Sequence, residues 1–162
     1  MGLAARALED RIRIIARRGS GKPPLILALE LGEALDQAAT FARCHPREGS
    51  HVLVAFIQAL WGVEPAPEII PLVSEAAAAL VSSAKRATDP RVMSQALCAL
   101  VEAYVGDDRF GEIASILEHA RLGRRATKSA LTELVRIETA AAGDIRARAD
   151  RLKRTILGSH LS

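Results

Sequence analysis

The sequence predicts an all-α protein, and three observations carry that expectation. Ala and Leu supply 30 and 20 of the 162 residues, and with Glu and Arg they make a helix-former's composition. Aromatics are only 3% of the chain and Thr is scarce, too little strand-favouring material for a β-sandwich. Apolar residues recur at three- and four-residue spacing almost everywhere. With 49% apolar residues and a net charge of only +3, the chain has the makings of one compact domain over residues 1–162 and not of a disordered polymer.

Each element follows from its stripe and its breakers. Residues 3–18 put Ala5, Leu8, Ile12 and Ile15 on one face, and Gly19-Ser20-Gly21-Lys22-Pro23-Pro24 ends that helix. A second helix over 25–44 runs through Leu27, Leu31, Ala34, Leu35, Ala38 and Phe41 to a stop at His45-Pro46-Arg47-Glu48-Gly49. Ser50 is a candidate N-cap for a helix over 51–61, although Val52-Leu53-Val54-Ala55-Phe56 read alone would also suit a buried strand. After the loop at Gly62–Pro67, a fourth helix is expected over 67–87. Asp89 followed by Pro90 reads as a cap and first helical residue, opening 90–105. Residues 109–122 form a further helix with Gly123 as its stop. Helices over 125–142 and 144–157, with Asp144 as cap, complete about eight helices in stacked antiparallel hairpins, either α-solenoid-like or an irregular bundle.

Asp89-Pro90-Arg91-Val92-Met93-Ser94-Gln95-Ala96-Leu97-Cys98-Ala99-Leu100 resembles the second helix of a HEAT-type repeat. That family places Asp-Pro at the turn, then Val, an Ala-Leu pair and a Leu three residues on. Residues 123–134 repeat the apolar part through Ala126, Ala130, Leu131 and Leu134, and residues 48–60 repeat it more loosely through Ala55, Phe56 and Leu60. The matched alanines Ala55, Ala96 and Ala130 stand 41 and 34 residues apart, straddling the periods of HEAT, armadillo and TPR-like hairpins. Met93 and Thr127 stand where the family often carries Arg, so its inter-repeat Asp–Arg ladder is missing. Gly49-Ser50-His51-Val52-Leu53 is also distantly similar to the N-terminal repeats of Clp-type ATPases. Either resemblance implies a stacked helical module that binds other proteins.

Catalytic signatures are absent, and the chain is expected not to be an enzyme and to carry no cofactor. Gly19-Ser20-Gly21-Lys22 lacks the earlier Gly and the Ser or Thr that a phosphate loop requires, with Ala16 and Pro23 in those places. Cys44, His45 and His51 are the one metal-like cluster, and no second ligand pair follows it. His119 and Glu118 are sequence neighbours that diverge on a helix. His160 is expected to be solvated, and the paired acids Glu30/Glu33, Asp107/Asp108 and Glu112/Glu118 to form solvated helix faces. Cys44 and Cys98 show no CxxC spacing and read as reduced core thiols, favouring a cytoplasmic setting, with an organelle matrix as the alternative. The longest stretch free of charged residues is 15 residues, Gly49–Val63, shorter than a membrane span.

Charge distribution is the informative feature. Residues 1–22, the basic N-terminal helix and turn, carry six basic and two acidic residues. Residues 23–122 carry seven basic and thirteen acidic, and residues 123–162 nine basic and four acidic. Net charge therefore runs +4, −6, +5 along the chain. In the basic C-terminal helices, Arg124, Arg125 and Lys128 open one helix, where the dipole disfavours cations. Arg146, Arg148, Arg151, Lys153 and Arg154 surround the apolar stripe of the next. These eight cations, with Trp61 as a possible aromatic anchor, are the candidate partner-binding residues. They suggest a non-enzymatic interaction or structural subunit, an adaptor docking on a protein partner or on another copy of itself. RNA binding through the basic termini is one alternative, and a small-molecule binder or enzyme with a pocket between hairpins is another. All five aromatics occupy plausible core positions, leaving none spare for base stacking.

Overall fold

The computed structural model describes residues 2–161, with side chains through residue 159. Among the described residues are eight α-helices, one 3-10 turn and no strand. The helices are α1 Leu3–Arg18, α2 Pro24–Cys44, α3 Pro46–Trp61, α4 Ile70–Ala87, α5 Pro90–Gly106, α6 Ile113–His119, α7 Arg124–Ala140 and α8 Gly143–Leu161. The 3-10 turn, Asp108–Phe110, lies between α5 and α6.

The packing order is regular. Helices α1, α3, α5 and α7 touch in succession, and so do α2, α4, α6 and α8. Short connections fold most sequence neighbours back on one another, so the chain forms antiparallel hairpins stacked in two layers. α3, α4 and α5 are the central members and carry the most buried residues. Phe56, Leu53, Leu60, Leu97, Leu100 and Leu80 are fully buried at this centre. Burial of each such side chain contributes about 1.5–3 kcal/mol. The matched alanines Ala55, Ala96 and Ala130 are all buried, on α3, α5 and α7, consecutive members of one layer.

Several boundaries differ from the local reading. α3 starts at Pro46, whose fixed φ suits a first helical position, and His45 is its N-cap. Ser50 is therefore no cap. It lies buried inside α3, its Oγ 2.7 Å from the Pro46 carbonyl and 2.9 Å from the Ser83 Oγ on α4. Val52–Phe56 is helix, and α4 begins only at Ile70, after a turn through Ala66–Ile69. The expected helix over 109–122 is broken in two. Asp107 accepts the Arg109 N–H at 3.0 Å and starts the 3-10 turn, leaving α6 only seven residues. Gly123 is the N-cap of α7 and not a stop, and α8 starts at Gly143, ahead of Asp144.

Cys44 is exposed at the end of α2 and Cys98 is half-buried, so neither free thiol is the buried core residue that the sequence suggests. The expectation for His160 falls on a side chain outside the described residues. No described helix is long and apolar enough to cross a membrane.

Candidate functional site

The eight candidate cations divide into two groups. Arg148 and Lys153 are consumed by packing. Arg148 Nε donates to the Val105 carbonyl at 2.9 Å, and its Nη1 lies 3.2 Å from Asp108. Val105 sits in the last turn of α5, where carbonyls lack helical partners, so Arg148 caps α5 from α8. Lys153 bonds Glu138 at 2.7 Å and ties α8 to α7. Arg154 is 79% exposed and pairs with Asp150 at 3.1 Å, one turn back on its own helix. Arg124, Arg125, Lys128, Arg146 and Arg151 are exposed and pair with no carboxylate among the described residues.

The hairpin geometry separates these five. Arg124, Arg125 and Lys128 fall in the first turns of α7, and Arg146 falls in the first turn of α8. Antiparallel packing sets those helix starts at opposite ends of the hairpin, an axial separation of roughly 18 Å. Gly123 offers no side-chain cap to α7, and the helix has no acid in its first turn to balance the cations.

Trp61 lies toward the Arg146 end. The residue is 46% exposed and its indole leans on the buried Phe110 ring, with centroids 6.2 Å apart. It is therefore partly packed and partly open, in contrast to the buried Phe56, Tyr104 and Phe110. Arg109 joins this corner together. Its Nη1 donates to the carbonyls of Leu60, at 3.1 Å, and Val63, at the end of α3. Its Nη2 pairs with Asp107 at 3.1 Å. The backbone N–H of Arg109, then its guanidinium, holds the Asp107 carboxyl below its ordinary range. Arg86 reaches the Ala42 carbonyl of α2, and Lys85 the Ala120 carbonyl after α6. Cations of the acidic middle thus serve as caps for the C-termini of neighbouring helices. Sequence spacing carries no signal for this role, because each acceptor lies 35 to 49 residues away.

The paired acids are not all solvated faces. Glu30 holds Lys22 at 3.0 Å, Glu33 lies 3.5 Å from Arg11, and Asp107 and Asp108 hold Arg109 and Arg148. The Gly19–Lys22 turn follows a helix, and its lysine is engaged by Glu30. A cluster not marked by sequence motifs lies between α5 and α7. There burial, then the charge of Glu133, pushes the Glu102 carboxyl up. The hydrogen bond from Arg136 holds Glu133 down. Burial also raises the nearby Cys98 thiol.

Two clefts open beside the α3–α4 loop, the first against the α1–α2 turn and the second against the 3-10 turn. One of about 260 Å³ is bounded by Arg17, Gly21 and Glu64, and one of about 320 Å³ by Ile69, Val73 and Arg109. No group of three or more metal-ligating side chains occurs among the described residues. No family model, curated protein or solved structure matches the chain.

Proposed function

We propose that the chain is a non-enzymatic interaction subunit that docks on an acidic protein face through the cations of α7 and α8. The division among those cations is the observation that carries the reading. Arg148 and Lys153 are spent inside the fold, whereas Arg124, Arg125, Lys128, Arg146 and Arg151 are exposed without internal partners. Side chains of this second set do no packing work that would account for them. Long-range attraction between a basic surface and an acidic one speeds encounter and selects partners. Trp61, half-exposed toward the Arg146 end, supplies a second kind of contact, an aromatic anchor.

A protein partner fits better than a nucleic acid. Three of the five aromatics are buried, Phe41 is half-buried and Trp61 leans on Phe110, so the basic helices carry no platform for stacking bases. The succession of buried alanines on α3, α5 and α7 supports reading the stack as a HEAT-like module, a class of fold suited to such docking.

The test is capture from the native source by cross-linking and mass spectrometry, comparing the natural chain with an Arg146→Glu/Arg151→Glu/Arg154→Glu variant. The expected result is a protein partner that is captured by the natural chain and lost by the variant at unchanged helicity. Retention of the same partner by the variant overturns the assigned surface. Recovery of RNA with steep salt dependence overturns the assigned partner class.

A further inference from the structure

We infer that the outer face of the α1–α2 hairpin seats a second copy of this chain, about a two-fold axis parallel to the two helices. This inference stands apart from the proposed function, because it concerns the opposite end of the stack. α1 packs on α2 and α3, and α2 on α1, α3 and α4, so one side of the hairpin is left without a covering element among the described residues. A stacked helical array needs a polar outer face on its terminal units, and here that face carries an apolar strip between its polar residues. Ala4, Ala7, Leu8 and Phe41 form the floor of a groove of about 660 Å³ between the helices. Farther along the hairpin, Ile14, Ile26 and Leu29 are 45%, 45% and 64% exposed.

Charge selects the occupant and its orientation. On the groove side α1 presents Arg11, whereas Arg13 and Arg17 line the side toward α3, and the groove wall from α2 carries Glu33 and Asp36. Within one copy, Arg11 Nη1 donates to Gln37 Oε1 at 2.6 Å, and Nη2 lies 3.5 Å from Glu33. These contacts set the height of α1 against α2. Rotation about an axis parallel to the helices lays α1 of one copy on α2 of the other at that same height. Arg11 then faces Asp36 and Glu33 of the second copy, and Ile14 faces its Leu29. All neighbouring helices in the resulting four-helix layer run antiparallel, and the contact is closed and self-complementary. Rotation about the axis crossing the helices instead sets Arg11 toward Arg11 and the Glu33 and Asp36 wall of α2 on its own copy.

Sedimentation equilibrium tests the inference. The natural chain is expected at twice its 17.3 kDa mass. Ala7→Glu and Leu29→Glu, both at exposed positions, are expected to keep their helical circular dichroism. Each should weaken the dimer by about 30-fold or more, because a charge is then buried unpaired in the contact. A second arm reads the orientation, in a Cys44→Ser/Cys98→Ala background. An Ile14→Cys chain mixed with a Leu29→Cys chain should oxidise to the mixed cross-linked pair in preference to either self-linked pair. A single-chain mass up to about 100 μM, or a dimer insensitive to both charge insertions, overturns the inference. Preferential self-linking of Ile14→Cys overturns the axis.

Discussion

Gly49 of α3 passes so close to Ala42 of α2 that a Cβ built on the glycine would lie 2.4 Å from the alanine Cβ. His45 alone joins the two helices, so their ends meet with no loop to spread them. Gly49→Ala is therefore expected to destabilise the protein by about 2–3 kcal/mol, although Ala is the better helix former. Gly32 on α2 provides the contrast, since a Cβ there would make only an ordinary contact, 3.7 Å from Leu72. Gly32→Ala is expected to stabilise by about 0.5–1 kcal/mol. Urea unfolding of the two variants checks the pair.

The buried hydroxyls of Ser50 and Ser83 lie 2.9 Å apart, and each is within hydrogen-bond distance of the Pro46 carbonyl. Each hydroxyl has one proton, so one serine donates to the carbonyl and the other donates to that serine. Either alone can still serve Pro46. Ser50→Ala and Ser83→Ala should each cost about 1 kcal/mol, and the double variant should cost more than their sum. A double-mutant cycle by chemical denaturation reads that coupling. Strict additivity would sink the shared arrangement.

Arg148 and Arg151 are three residues apart on α8, and only Arg148 caps α5. Arg148→Ala should lower stability by about 1–3 kcal/mol, because the Val105 carbonyl loses its charged donor. Arg151→Ala should stay within about 0.5 kcal/mol of the natural chain. Thermal unfolding separates the two. Equal losses would show that the exposed arginine also has a structural partner.

Glu102 and Glu133 oppose each other in pH dependence. Burial and the Glu133 charge raise Glu102 above its ordinary 4.5, so its contribution to stability is full below that value and lost as pH rises through the raised one. Glu133 is lowered, so its contribution is present above 4.5 and lost as pH falls through the lowered value. Glu102→Gln removes the first effect and leaves an amide facing Glu133. Its melting temperature should exceed that of the natural chain at neutral pH and converge with it near about pH 4. A melting temperature below the natural chain's at neutral pH would contradict the assignment.

The sequence alone determined the helical class, most helix ends and the segregation of charge. Those properties are local. An apolar stripe such as Ile12, Leu31 or Leu134 needs only its own helix to define a buried face, and Asp89-Pro90 opens α5 wherever α5 comes to lie. Tertiary structure decided which polar residues are spent. Arg148 and Arg146 are indistinguishable by spacing, yet one meets an unfilled helix end 43 residues away and the other meets solvent. Ser50 looks like a cap until α4 brings Ser83 beside it, and Gly49 looks like a breaker until Ala42 shows that the space can hold nothing larger. The physical reason is range. Periodicity and capping propensity act over a single helical turn, whereas the hydrogen bonds and close contacts that fix these side chains join residues the chain connectivity leaves far apart.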